Sequence, residues 1–140
     1  SSILVDTNIL LDVLLNREPW VVDSARLWSA CEQGKVSGFV CASSFTDIFY
    51  VARRLADLTK ARSAVRLCLG TFEVCAVDKS SLEFAEQLAG NDFEDNLQLA
   101  CAIQYRLDAI VTRDNDGFSD APISILTPAD VLDLVDSSPE

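Results

Sequence analysis

The chain reads as α/β: a parallel sheet with helices on both faces, a compact sandwich. Three observations predict it. Five short runs of strand character fall at residues 3–6, 38–42, 72–77, 109–112 and 123–126. Segments of helical spacing are interleaved with them. Acidic signals recur where a strand should give way to a helix: Val5-Asp6-Thr7-Asn8, Ser43-Ser44-Phe45-Thr46-Asp47, Asp92-Phe93-Glu94-Asp95 and Val111-Thr112-Arg113-Asp114-Asn115-Asp116.

Residues 3–6 are an apolar run read as a buried strand, and Thr7 or Asn8 is placed to cap the helix that buries Ile9, Leu10, Val13 and Leu14. Arg17-Glu18-Pro19 interrupts that helix, and Pro19 suits the first turn of another running to about Gln33, where Gly34 ends it. A strand over Gly38–Ala42 precedes a helix from Ser44 with Ile48, Phe49, Val51, Ala52 and Leu55. Ala61, Ala64, Val65 and Cys68 define one face of the next, from about Thr59 to Leu69. Phe72–Val77 reads as the third strand and Ser80–Leu88 as a helix. Asn91 or Asp92 opens the helix that packs Leu97, Ala100, Cys101 and Ile103. Ala109–Thr112 and Ile123–Leu126 complete the strands, and Pro128 opens a last short helix.

At 140 residues the chain suits one domain, residues 1–136, with a frayed tail at 137–140. Hydrophobic content of 49% with 24% charged residues argues against disorder. Apolar runs are too short to span a bilayer, and the first residues do not resemble a secretory signal. Five cysteines with no C-x-x-C pair, each among apolar neighbours, suit buried, reduced side chains in a cytoplasmic protein rather than a zinc site. The net charge of −11 sits poorly with gripping a polyanion through a broad basic face; it suits bound metal or a basic protein partner.

In open α/β sheets, ligands collect outside the carboxyl ends of the strands. Asp6 ends the first strand, Asp114 lies just past the fourth, and Asp47 and Asp95 fall in first helical turns. All four therefore share an address. Most also have an ordinary structural reading. Acids favour first turns, Ser44-x-x-Asp47 reads as a variant capping box, and Asn91-x-x-Glu94 as another, so that Glu94 needs no function. Asp114 and Asp116 around Asn115, ahead of Gly117, also suit a polar turn. Asp6 is harder to dismiss: a carboxylate buried at the end of an apolar strand costs several kcal/mol unless a cation or donors compensate it. Carboxylates brought together repel one another, and a hard divalent cation relieves the repulsion. The chain has no histidine, so such a site is all oxygen. Its ion would supply an activated water and stabilise charge on a phosphodiester.

These residues resemble the PIN-domain nucleases, most closely the VapC-like toxins of bacterial and archaeal toxin–antitoxin modules. The resemblance spans about residues 3–130 and rests on Val5-Asp6-Thr7-Asn8, the Ser43–Tyr50 segment, Asp92-Phe93-Glu94-Asp95 with the Leu97–Ile103 helix, and Ile110-Val111-Thr112-Arg113-Asp114. It implies a three-layer α/β/α sandwich around a five-stranded parallel sheet, and a carboxylate pocket for Mg²⁺ or Mn²⁺ that hydrolyses RNA. By position, Asp6, Asp95 and Asp114 match the family's metal-binding acids, with Asp47 as a fourth catalytic candidate. Asn8 matches a residue that supports the first acid, Thr112 a hydroxyl beside the pocket, and Asp92 flanks it. Two departures stand out: Asp47 replaces the usual glutamate, and Gly117 precedes Phe118 where an acid is common, leaving Asp116 to substitute from one position away. Arg53, Arg54, Lys60, Arg62 and Arg66 form the clear basic cluster, read either as an RNA or antitoxin contact or as a solvated helical face. The resemblance also implies a cognate antitoxin and a homodimer.

An aspartyl-phosphate phosphotransferase also carries an aspartate after its first strand. It needs a second acid where Asn8 stands and a lysine near the pocket, whereas Lys35, Lys60 and Lys79 lie beside no predicted strand end. The non-catalytic alternative is a weak or inactive domain of the same fold that binds RNA or a protein partner, favoured by Asp47, Gly117 and the charge of −11.

Overall fold

The computed structural model describes residues 1–118 and 121–137, so the expected tail lies, from residue 138 on, outside the described residues. Five parallel strands, β1 (Ser2–Val5), β2 (Ser37–Cys41), β3 (Glu73–Cys75), β4 (Ala109–Val111) and β5 (Ser124–Leu126), form one sheet in the order β3-β2-β1-β4-β5. Among the described residues seven α-helices accompany them: α1 (Thr7–Leu14), α2 (Val21–Glu32), α3 (Ser44–Leu55), α4 (Leu58–Thr71), α5 (Lys79–Gln87), α6 (Phe93–Gln104) and α7 (Pro128–Ser137). The order reverses at β1, with β2 on one side and β4 on the other. This is the switch point where an open α/β sheet forms a crevice.

Alternation along the strands builds two cores. Ile3, Val5, Val40, Ala109 and Val111 face a core completed by α1, α2, α3, α4 and Val131 of α7. Leu4, Cys41, Cys75 and Ile110 face the other, closed by Ala85 of α5, by Leu97, Ala100 and Cys101 of α6, and by Phe118. The three-layer α/β/α sandwich expected from the sequence is therefore present. All five cysteines are free and buried. No helix among the described residues is long and apolar enough to cross a membrane.

Element boundaries differ from expectation where a local device prevails. Asp57 caps α4 by accepting from the Lys60 amide at 2.7 Å, so the helix begins at Leu58. It runs on to Thr71, which removes Phe72 from the third strand. Phe72 instead packs edge-on against Trp28, 4.9 Å between centroids, over Gly38. A Cβ at Gly38 would stand 2.7 Å from the Phe72 ring, so glycine is what lets this aromatic pair close over β2. A short 3-10 helix at Asn115–Phe118 occupies what the sequence presents as a simple polar turn.

Candidate active site

The site begins where β1 ends. The Asp6 amide donates to the Val111 carbonyl at 2.9 Å, extending the ladder by one residue before the chain turns into α1. Asp6 takes the N-cap position, yet its side chain makes no capping hydrogen bond. It is directed elsewhere: Oδ1 accepts from Gln98 Nε2 at 2.9 Å and Oδ2 from the Thr112 hydroxyl at 3.0 Å. Burial, with 7% of the residue exposed, raises its carboxyl above the usual range; those two hydrogen bonds, the Thr7 amide and the Arg113 charge act in the opposite direction.

Thr112 ties two acids together. Its hydroxyl donates to Asp6 and accepts from the Asp114 amide at 3.1 Å, while the Asp116 amide donates to Asp114 Oδ1 at 3.2 Å. Asp114 is thereby anchored beyond β4 and Asp116 lies exposed beside it. From α6, Asp92 caps the helix by accepting from the Asp95 amide at 3.0 Å. The Asp95 carboxyl is pushed up to about 6 by burial first, then by the charges of Asp92, Asp6 and Asp114. Asp95 thus lies within electrostatic reach of both Asp6 and Asp114 at the carboxyl edge of β1 and β4.

Gly117 explains one departure from the family pattern. A Cβ there would stand 2.7 Å from Asp95 Oδ2, so the 3-10 helix approaches Asp95 through bare backbone. A bulkier residue at this position would displace the carboxylate.

The sequence reading of Glu94 needs correction. The Asn91-x-x-Glu94 box does not form, because Asp92 is the cap. Glu94 instead shares a hydrogen bond with Asp47. That bond, burial and the charges of Asp47, Asp92 and Asp95 push its carboxyl up to about 8. The Ser44-x-x-Asp47 box does not form either: Ser43 holds the N-cap position of α3 without a side-chain bond, and buried Ser44 accepts from the Thr7 hydroxyl at 2.7 Å. Asp47 is therefore joined to the cluster through Glu94. Asn8 is exposed on α1, and among the described residues no hydrogen bond joins it to Asp6; Gln98 and Thr112 hold that carboxylate instead.

Two further features were not singled out by the sequence. Gln98 lies in a continuous buried stretch of α6 where nothing marks its partner, 92 residues away. Asp12, fully buried on α1, receives Arg113 through Nε at 2.8 Å and Nη2 at 3.3 Å, with Arg17 at 3.6 Å. Arg113 also stacks on Trp20, 3.9 Å from the ring centre. This clamp fixes the residue between Thr112 and Asp114.

The donor set suits a hard cation: it is all carboxylate, and neighbouring acids help raise the Glu94 and Asp95 carboxyls. Yet no three acidic or thiol side chains among the described residues stand close enough together to hold one ion in common. Asp6, Asp92 and Asp114 each accept from donors of the protein. The basic cluster lies to one side. Arg53 and Arg54 are exposed in the last turn of α3, and Lys60, Arg62 and Arg66 are exposed on α4. A cavity of about 830 Å³ opens at the opposite edge of the sheet, between Lys35, Asp108 and α7, and contains none of these acids.

A fold of this topology with acids at its switch point defines a class. The sequence matches the PIN-domain family model over residues 2–116, and the chain belongs to that family. Comparison with curated proteins gave no match. Among solved structures the fold is similar to VapC20 of Mycobacterium tuberculosis, described as a sarcin–ricin-loop-cleaving toxin (17% identity, TM-score 0.70, covering 86% of this chain and 95% of that one). It is also similar to DNA-bound VapBC of Salmonella typhimurium (15% identity, TM-score 0.70, 91% and 98%). A toxin–antitoxin complex from Klebsiella pneumoniae gives 21% identity and a TM-score of 0.65, covering 89% and 96%.

Proposed function

We propose that the protein is a divalent-metal-dependent endoribonuclease, the toxin of a toxin–antitoxin pair. One observation carries the reading: Asp95 is half-buried beside Asp92, Asp6 and Asp114, acids from three separate segments, and burial first and then their charges raise its carboxyl to about 6. Family membership, and the fold shared with VapC20 and with VapBC complexes, supports the same conclusion.

Asp6, Asp95 and Asp114 would hold Mg²⁺ or Mn²⁺, with Asp47 and Glu94 beside them. Such an ion supplies charge neutralisation at the scissile phosphodiester and a water of lowered pKa. The protein does the rest. Gln98 and Thr112 orient Asp6 and act against the burial that raises its carboxyl. Thr112 and the Asp116 amide hold Asp114 in place. The Glu94 carboxyl, raised to about 8 by its hydrogen bond with Asp47 and by burial, can deliver or receive a proton at the pocket near neutral pH. Arg54 follows Asp47 by two helical turns, roughly 10 Å along α3, and so flanks the acids on the path of an RNA strand. Arg53, Lys60 and Arg62 extend this positive surface. The acidic edge suits an arginine from an antitoxin, and the fold suits a homodimer in the cytoplasm.

The test is cleavage of single-stranded and hairpin RNA with and without Mn²⁺. Cleavage that needs the ion, and that Asp6→Asn and Asp95→Asn abolish while the protein stays folded, supports the nuclease. RNA retention without cleavage supports the second reading, an inactive binding domain, which the wide spacing of the acids and the shorter Asp47 favour.

A further inference from the structure

Gln98 is the least expected residue of α6. It is 1% exposed, flanked by buried Leu97, Leu99, Ala100, Cys101 and Ala102, and its side chain reaches across to β1. Asp6 can only accept, so Nε2 must face it, and the amide orientation follows from the chemistry. The other end of the amide, Oε1, is buried with no hydrogen-bond partner among the described residues. A bond to a carboxylate and an orphaned buried carbonyl are of comparable size and opposite sign, so the amide contributes little net stability. An apolar residue of the same length would fill the space without that penalty. What the amide does provide is direction. Gln98 lies one turn beyond Asp95 on the same face of α6, so its bond to Asp6 sets the first acid against the second.

We propose that Gln98 is a positioning residue of the metal site, holding Asp6 in register with Asp95 so that both can engage one divalent ion. The inference rests on the metal-site reading above and goes further in assigning a role to a residue outside the carboxylate set. Outer partners of metal-binding carboxylates typically contribute about 10- to 100-fold in affinity.

The experiment measures Mn²⁺ affinity by calorimetry and melting temperature without the ion, for wild type, Gln98→Met and Gln98→Glu. Met keeps the length and fills the space; Glu keeps the shape and loses the amide donor. The expected result is a melting temperature near that of wild type for Gln98→Met with Mn²⁺ affinity lower by about tenfold or more. Should the Met variant fail to fold, a folded Glu variant with the same loss of affinity supports the role equally. Wild-type binding with unchanged affinity in the folded variants overturns it. Unfolding of both variants makes Gln98 a structural residue and overturns it too. Absence of Mn²⁺ binding by the wild type overturns the metal-site reading, and this inference falls with it.

Discussion

The most deeply buried acid of the carboxyl edge is held by donors far from it in sequence. Asp6 draws on Gln98 from α6 and Thr112 from β4, and Thr112 passes the connection to Asp114. Thr112→Val removes both hydroxyl bonds at little change in volume; the expected cost is about 1–3 kcal/mol, read by urea denaturation. Gly117→Ala places a methyl against Asp95 Oδ2 and should weaken Mn²⁺ binding with little change in the fold, checked by calorimetry and circular dichroism. At this scale the sequence was partly legible. The strand-end position of Asp6 pointed to a functional carboxylate, because burial there demands compensation. Glu94 was hidden by an apparent capping box, and the structure shows Asp92 doing the capping. The family resemblance names Asn8 as the support of Asp6, whereas the helical turn leaves it exposed.

The strands and helices were largely legible as elements because each core face repeats with the period of its backbone. Contacts between elements were not. Asp12 and Arg113 are 101 residues apart, and no local pattern predicts that α1 carries a buried aspartate for the segment after β4. The pair has an energetic signature of its own. Arg113→Met leaves Asp12, fully buried, with only the longer Arg17 contact. The expected destabilisation is about 3–5 kcal/mol by chemical denaturation, because an uncompensated charge remains inside. Replacing both partners, Asp12→Leu with Arg113→Met, should recover most of that loss. The element boundaries that shifted did so for similar non-periodic reasons: a cap at Asp57, and Phe72 leaving the third strand to meet Trp28.

Across the whole molecule, the gathered acids make stability depend on pH with a definite sign. The Asp95 carboxyl rises from 3.8 to about 6 and that of Glu94 from 4.5 to about 8, so the folded state holds more protons than the unfolded chain between these values. Their favourable contribution is complete below about pH 4 and disappears as pH rises through 6 and then 8. In the absence of divalent ions the melting temperature should therefore fall over that window. Asp95→Asn should flatten the lower part of the profile, and scanning calorimetry across pH reads both effects. The same repulsion gives an ion its affinity, which should strengthen as these groups ionise. The net charge of −11 confines any RNA contact to a local surface such as the α3–α4 arginines, and that limit was visible in composition alone. The most direct measurement is calorimetric titration of Mn²⁺ into wild type and Asp95→Asn at pH 8, with a non-cleavable RNA oligonucleotide present and absent. Saturable binding by wild type that Asp95→Asn abolishes is the predicted result. No binding by wild type under either condition would contradict the metal-dependent nuclease and leave a PIN-domain protein that acts by binding alone.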